Sequence, residues 1–301
     1  MEPQPECEAA AALERVLELE RRNVASTGPL RTALDAKYVA VRKDLTNVVG
    51  NVALFYEAGW AAAHLCMALL DAYRVRSMQA AAASSVGAQG MELELAALGL
   101  LGVAVGLVRD PSCGERPHER SLMLLVQRWR LQVQRLRPQT LAVRPEFLDE
   151  FPPMLVRSVR GAQLQMMATL EWRLSALSVA TADAVLDAML AAAGAAEAKV
   201  DWAEVAADAR AFCQLGLLRG FSWFYGQAAL AAACVQAARR LAGVEPAWPA
   251  ALARCSPKAR AGLEALEADE VELCVRDLLH AHHEQRPETP RTPSATPSAA
   301  S

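Results

Sequence analysis

The sequence predicts an all-α fold, and its composition and its lack of strand signals support that prediction. Apolar residues make up 53% of the 301 residues, whereas aromatic residues make up only 5%. A core of this kind is built mainly from Ala, Leu and Val, and Ala and Leu lose little side-chain entropy in a helix. No Asn-Gly or Asp-Gly hairpin dipeptide and no run of alternating β-branched residues occurs. We therefore expect helices throughout.

Apolar residues recur at helical spacing along most of the chain, and breaker residues separate the segments. Gly59 and the pair Asp110-Pro111 are two such breaks, and Asp201 and Asp269 are candidate N-caps. The pattern predicts helices over about 8–23, 30–58, 60–75, 91–109, 116–137, 153–174, 181–193, 201–219, 222–241, 246–254 and 269–283.

Charge and cysteine content limit the compartment and the partners. The net charge is −3, from 31 basic and 34 acidic residues, which gives no general attraction to nucleic acid. The uncharged stretch 95–108 is too short to span a bilayer, so no stable membrane insertion is expected. Seven scattered cysteines and an acidic N-terminus favour a reducing compartment, the nucleus or the cytoplasm.

Catalytic motifs are missing from the sequence. It contains no Gly-rich phosphate loop, no Cys-x-x-Cys and no His-Glu-x-x-His, so we expect a protein that is not an enzyme and uses no cofactor. His280 and His283 share a helix face and could contact a metal. A solvated helix C-terminus is the favoured interpretation of these histidines, and no metal site is expected.

The segment 38–78, YVAVRKDLTNVVGNVALFYEAGWAAAHLCMALLDAYRVRSM, resembles the opening of a cyclin box. Residues 93–104 resemble the central helix of that box, and 155–180 resemble its fifth helix. Within the last segment, Leu-Glu-Trp-Arg-Leu (170–174) is similar to D-type and I-type cyclins. The resemblance covers most of residues 13–283 and depends on the order and spacing of the segments.

The resemblance to cyclins implies two tandem five-helix cyclin boxes with an N-terminal helix and a disordered C-terminal tail. The expected divisions are an N-terminal helix and linker over 1–37 and a first box over 38–175, with insertions near 79–90 and 113–144. A second box over 176–283 and a disordered tail over 284–301 follow. The tail is rich in Pro, Ser and Thr, which cannot bury enough apolar surface to fold.

Particular residues take on roles through the same resemblance. Arg42 and Asp71 stand at the positions of a buried ion pair between the first two box helices. The Lys and Glu with which kinase-activating cyclins hold their kinase are replaced by Gly106 and Gln163, and Arg109 is the nearest basic substitute. The substrate-docking patch falls on residues that include a charged Asp, which argues against standard docking: Val41, Asp44, Leu45 and Val48.

Residues 116–137 form a basic amphipathic segment with Trp129 among its apolar residues. The favoured interpretation is a surface helix that packs its apolar stripe on its own domain while its arginines are solvated. Binding of a partner or of an anionic surface is the alternative.

Thr289, Thr292 and Thr296 in the tail each precede a proline, as proline-directed kinases require. One hypothesis is that phosphorylation creates a signal for a ubiquitin-ligase adaptor and controls protein abundance. An inert tail with such dipeptides by composition is the alternative.

The first functional hypothesis is therefore a regulatory cyclin-like subunit that binds a cyclin-dependent kinase and modulates its activity or substrate choice. The second is a cyclin-fold adaptor that does not activate a kinase. A third, an unrelated helical-repeat scaffold, is disfavoured because no fixed sequence period is present.

Overall fold

The computed structural model describes the ranges 5–27, 36–56, 59–83, 90–109, 119–136, 152–170, 180–194, 201–253, 257–264, 266 and 268–285. Within these ranges the chain is helical and contains no strand, so the all-α prediction is confirmed there. The helices are α1 (Pro5–Thr27), α2 (Ala36–Ala53), α3 (Gly59–Ala83), α4 (Gly90–Arg109), α5 (Glu119–Leu136), α6 (Pro152–Thr169), α7 (Ala182–Gly194), α8 (Trp202–Arg219), α9 (Phe221–Phe224), α10 (Gln227–Leu241), α11 (Ala250–Ala253), α12 (Pro257–Glu264) and α13 (Ala268–Gln285).

The first hydrophobic core is built by helices α2 to α6. Helix α4 is central, because it packs against each of the other four helices. Its small residues permit close approach: a Cβ added to Gly99 would lie 2.9 Å from Met166 Cε, and one added to Gly102 would lie 3.2 Å from Leu122 Cδ2. Small residues on a helix let neighbouring helices approach closely.

The second hydrophobic core is built mainly by α7, α8, α10 and α13, together with the shorter α11 and α12. Helix α10 is its centre and packs on α7, α8 and α13 through an alanine-rich surface. Helix α1 also belongs to this core, since Leu13 and Leu17 are buried against it. The N-terminal helix is thus part of the second core, although it is most distant from that core in sequence.

Two carboxylates satisfy the N-terminus of α10. Glu20 Oε1 accepts a hydrogen bond from the Ala228 amide at 2.7 Å, and Glu270 Oε1 accepts one from the Gly226 amide at 2.9 Å. The first amides of a helix have no partner within it, and negative charge there is favourable. Helices α1 and α13 therefore fix the start of α10 through side chains as well as through apolar packing.

The two cores meet along α2, α3, α7 and α8. Leu217, near the end of α8, and Trp223, on α9, are buried in the first core. Trp223 packs edge-on against Tyr38, with ring centroids 5.3 Å apart. Arg42 Nη2 donates a hydrogen bond to Ser222 Oγ at 3.0 Å, so polar and aromatic contacts both join the cores.

Several predicted boundaries are confirmed by the structure. Gly59 interrupts the chain between α2 and α3 with φ +51°, a conformation that favours glycine. Asp201 caps α8, because its Oδ1 accepts hydrogen bonds from the amides of Ala203 and Glu204 at 3.1 and 3.3 Å. Asp269 lies inside the first turn of α13 and is not its N-cap.

Other predicted boundaries require correction. Helix α3 continues to Ala83, so the beginning of the expected 79–90 insertion is helical. The predicted helix 222–241 is divided into α9 and α10, and Gly226 precedes the second of these. Helix α12 was missed, because its short, charged sequence PKARAGLE offers little apolar periodicity. The segment 246–254 is helical only at α11 among the residues described.

Helix α5 lies in the segment 113–144, which the resemblance to cyclins implies is an insertion in the first box. Its residues Trp129, Leu122 and Val126 are buried within the first core. Helix α5 therefore supplies the fourth of the five helices in chain order, and its packing on its own domain matches the favoured interpretation.

No helix in the described ranges has the length and apolar character needed to cross a membrane. The C-terminal residues 286–301, with Thr289, Thr292 and Thr296, lie outside the described part of the chain.

Candidate functional site

Arg42 of α2 and Asp71 of α3 form an ion pair. These are the two positions at which the resemblance to cyclins implies a buried pair. Arg42 Nε donates to Asp71 Oδ1 at 2.9 Å, and Nη2 donates to Oδ2 at 2.8 Å. Tyr38 Oη donates to the same Oδ1 at 2.7 Å. A guanidinium matches a carboxylate in this two-bond geometry, which adds orientation to the charge attraction.

Burial and charge act together on the groups of this ion pair. Burial alone lowers the pKa of Arg42, but the Asp71 carboxylate outweighs burial and the pKa of Arg42 is raised. Burial, followed by the charge of Asp71, raises the pKa of Tyr38 well above its usual value. The raised pKa values keep Arg42 charged and Tyr38 neutral at neutral pH, so the cluster acts as a structural link between α2 and α3.

The equivalents of the substrate-docking patch do not form an exposed apolar groove. Leu45 and Val48 are fully buried in the first core, while Val41 and Asp44 are only partly exposed on α2. The α-helical period places positions 41, 45 and 48 on one face, and that face packs inward. Two of the four patch equivalents, Leu45 and Val48, are thus part of the first core.

The kinase-interface candidates have different environments. Gly106 on α4 is partly exposed, and a Cβ added there would meet nothing within 4 Å. The amide of Gln163 on α6 is used internally, because its Nε2 donates to the Gly99 carbonyl at 2.9 Å. The backbone of Arg109 ends α4, and its side chain lies outside the described residues.

Helices α5 and α6 pack together, and the outward sides of both carry arginines and leucines. We name this surface the α5–α6 face and define it by its exposed residues: Arg128, Arg135, Arg157, Arg160, Leu124, Leu131 and Leu164. The three leucines are each about half exposed, at 51%, 53% and 49%. In the sequences of these helices Glu119 is the only acidic residue, so the face is basic and apolar.

Phe55, which is 53% exposed at the end of α2, borders this face. The Arg128 guanidinium lies 4.5 Å from the centroid of the Phe55 ring. Exposed apolar residues rimmed by charge are typical of protein-binding surfaces. Only the basic character of this face was visible in the sequence.

A buried His–Cys–Asp cluster is the site that sequence analysis missed. His64 of α3, Asp183 of α7 and Cys213 of α8 bring one ligand atom each to within 4.8 Å of one another. Cys213 Sγ lies 3.6 Å from His64 Nε2, and both side chains are buried. The three positions are far apart in the sequence and no local motif connects them, so no spacing rule could have found them.

The cysteine and histidine of this cluster influence each other's charge. A hydrogen bond from Cys234 of α10 and the neighbouring His64 outweigh burial and lower the pKa of Cys213 to about 6. Burial alone lowers the pKa of His64, but the Cys213 sulfur outweighs it and the pKa of His64 is raised. The lowered pKa of Cys213 favours its thiolate form beside the His64 imidazole.

The histidines at the end of α13 have a different environment. His280 is 75% exposed, and its Nδ1 lies 3.5 Å from Glu284 Oε1, one turn further along the helix. His283 is also exposed. Both residues are placed as a solvated helix terminus would place them.

Comparison of the chain with protein-family models, with curated proteins and with solved structures finds no match.

Proposed function

We propose that this chain is a divergent cyclin-like regulatory subunit that binds a cyclin-dependent kinase and modulates its activity or substrate choice, in the nucleus or the cytoplasm. The observation that carries the proposal is the first core, in which four helices surround α4 and Arg42 pairs with Asp71 between the first two of the five. A second helical core supports the proposal, since its main helices α7, α8, α10 and α13 follow the first core in the chain.

The proposed mechanism is conformational. A rigid helical surface that contacts the active state of a kinase more favourably than the inactive state shifts the kinase toward activity by that difference in binding free energy. The residues that contact the kinase then differ from the Lys and Glu that kinase-activating cyclins use, because Gly106 supplies no charge and Gln163 bonds to its own domain.

The α5–α6 face is the surface that we propose contacts the partner. Its exposed leucines supply apolar contacts, and its arginines select a partner segment that carries acidic residues. Charge complementarity of this kind sets specificity and association rate more than affinity.

The alternative function is a cyclin-fold adaptor that binds partners, including a ubiquitin-ligase adaptor at a phosphorylated tail, without activating a kinase. Gly106 and Gln163 favour this alternative, since neither supplies a charge-assisted contact to a kinase. The two functions differ in one observable, the activity of the bound kinase.

The test is affinity purification of the tagged chain from its native cell, identification of the bound proteins, and a phosphorylation assay on the eluate. Leu164→Glu is compared with Leu273→Glu, because Leu164 and Leu273 are similarly exposed, at 49% and 44%, and Leu273 lies on α13 in the second core. Loss of a stoichiometric kinase with Leu164→Glu alone supports binding through the α5–α6 face.

Arg109→Glu in the same assay tests the compensating charge at the end of α4. Retained kinase with reduced activity supports a rewired regulatory cyclin. A bound kinase without activity in the unaltered chain supports the adaptor, and recovery of other partners without any kinase rules out the first function.

A further inference from the structure

We propose that His64, Asp183 and Cys213 bind a divalent transition-metal ion of the zinc class at the junction of the two hydrophobic cores. His64 lies on α3 of the first core, whereas Asp183 and Cys213 lie on α7 and α8 of the second. The site goes beyond the proposed kinase-binding function, since it does not depend on any protein partner.

The spacing of the ligand atoms fits tetrahedral coordination. With Zn–S of about 2.3 Å and Zn–N of about 2.0–2.1 Å, a tetrahedral angle separates sulfur and nitrogen by about 3.6 Å. The observed distance from Cys213 Sγ to His64 Nε2 is 3.6 Å. Asp183 needs the larger adjustment, since the cluster spans up to 4.8 Å, and its partly exposed side chain has room to move.

The donor atoms also fit the charge and the chemical class of the ion. A thiolate and a carboxylate neutralise a divalent cation, and imidazole completes the set without charge. Buried charges in proteins are ordinarily paired or bound to metal. A thiolate with an imidazole favours Zn²⁺ or Co²⁺ and disfavours Mg²⁺ and Ca²⁺, which prefer oxygen ligands alone.

Neighbouring groups support the same donor set. Cys234 of α10 hydrogen bonds to the Cys213 sulfur and stabilises its thiolate. Metal binding releases to solvent any proton held by Cys213 Sγ or His64 Nε2 and forms Zn–S, Zn–N and Zn–O bonds, with no change of oxidation state.

A bound ion would join the two cores through a single atom. The polar contact from Arg42 to Ser222 and the contact between Tyr38 and Trp223 lie along the same junction. Cross-linking α3 to α7 and α8 fixes the orientation of the first core relative to the second. The inferred role of the metal is therefore to hold the two cores together, with water in the fourth tetrahedral position that the three protein ligands leave open.

The test is titration of the metal-free full-length chain with Co²⁺ alone, followed by ultraviolet and visible spectroscopy. His280→Gln and His283→Gln are placed in every protein, so that the exposed histidines of α13 contribute no binding. We expect one equivalent of Co²⁺ to produce thiolate-to-metal charge transfer and the intense d–d bands of a tetrahedral site. Zn²⁺ should then displace Co²⁺ and bleach both features.

Three variants assign the ligands. Cys213→Ser should abolish the charge-transfer band. Asp183→Ala, at a partly exposed position, should weaken Zn²⁺ binding more than about tenfold. Cys66→Ala is the matched control, because Cys66 is a buried free cysteine on the same helix as His64. It should leave the spectrum and the affinity unchanged.

The outcomes separate a metal site from a purely internal pair. Absence of a charge-transfer band in the folded parent protein, or an unchanged band in Cys213→Ser, overturns the proposal and leaves a buried thiolate–imidazole contact only. Equal loss of binding in Cys66→Ala and Asp183→Ala would mean that general destabilisation is responsible, and this result also overturns the proposal. Circular dichroism of each variant establishes that it is folded.

Discussion

Arg42 and Asp71 form a buried ion pair that fixes α2 against α3, with both carboxylate oxygens occupied. The side chain of Arg42 is 2% exposed and that of Asp71 is 14% exposed. Asp71 also accepts from Tyr38, and Arg42 donates onward to Ser222 beyond the end of α8. The pair is thus part of a polar network that reaches from the first core into the junction with the second.

Asp71→Ala should lower the free energy of unfolding by about 3–5 kcal/mol, because it leaves the buried Arg42 charge without a carboxylate. Urea unfolding measures the change. Asp187→Ala is the control, since its pair with Arg210 is exposed at 54% and 51% and should contribute less than about 1 kcal/mol. Similar losses in the two variants would contradict a special role for the buried pair.

Glu94→Gln should stabilise the protein at neutral pH. Trp129 Nε1 donates to Glu94 Oε1 at 3.1 Å, and burial raises the pKa of Glu94 despite that hydrogen bond. A carboxyl group with a raised folded-state pKa contributes fully below its unfolded pKa of about 4.3, and the contribution is lost as pH rises through the folded-state pKa. Glutamine retains an acceptor for Trp129 without a charge to bury.

Urea unfolding between pH 4 and pH 8 tests this prediction, and the gain from Glu94→Gln should shrink as pH falls toward the unfolded pKa of about 4.3. Glu204→Gln, at an exposed site on α8, should show little change and serves as the control. A variant less stable than the unaltered chain at neutral pH would show that the ionised carboxylate is needed by Trp129.

Gly50→Ala should destabilise the protein by about 1–3 kcal/mol through overpacking. A Cβ at Gly50 would lie 2.8 Å from Trp60 Cζ3, a rigid ring atom that cannot move without shifting α3. Gly161→Ala is the control, because it is exposed on α6 and has nothing within 4 Å. There, helix propensity predicts a gain of up to about 1 kcal/mol. We expect Gly50→Ala to lower the melting temperature and Gly161→Ala to raise it.

Gly106→Lys should increase kinase binding if the partner lies where the cyclin resemblance puts it. The position has open space for a side chain, so the lysine can extend without repacking the core. Ala211→Lys adds the same charge at an exposed site on α8 and should have no effect. Quantitative co-purification of the kinase measures both variants. Equal binding by the parent and both variants would place the interface elsewhere.

The presence and type of most helices followed from local sequence, but their ends and groupings did not. Asp201 was correctly predicted as a cap because its bond partners, Ala203 and Glu204, are two and three residues away. Helix α5 was expected to pack its apolar stripe on its own domain, but the resemblance to cyclins placed it in an insertion, and only tertiary contacts show that Trp129 lies within the first core. Helix α12 escaped prediction because eight residues carry little periodicity.

The candidate sites also differ in whether the sequence alone could identify their residues. The separation of Arg42 and Asp71 could be compared with a family pattern, so the positions of that pair were available in advance. Nothing local relates His64 to Asp183 and Cys213, and only the packing of α3 against α7 and of α2 against α8 brings them together. The burial of Leu45 and Val48 likewise depended on which face of α2 turned inward.

By itself, the sequence determined that this chain is helical and where most helices lie, because helix propensity, periodicity and capping act over a few residues. Tertiary structure alone decided that α1 completes the second core, that α5 completes the first, and that a histidine, a carboxylate and a thiol meet between them. These outcomes depend on contacts between residues distant in the chain, whose free energies are set by burial and by neighbouring charge.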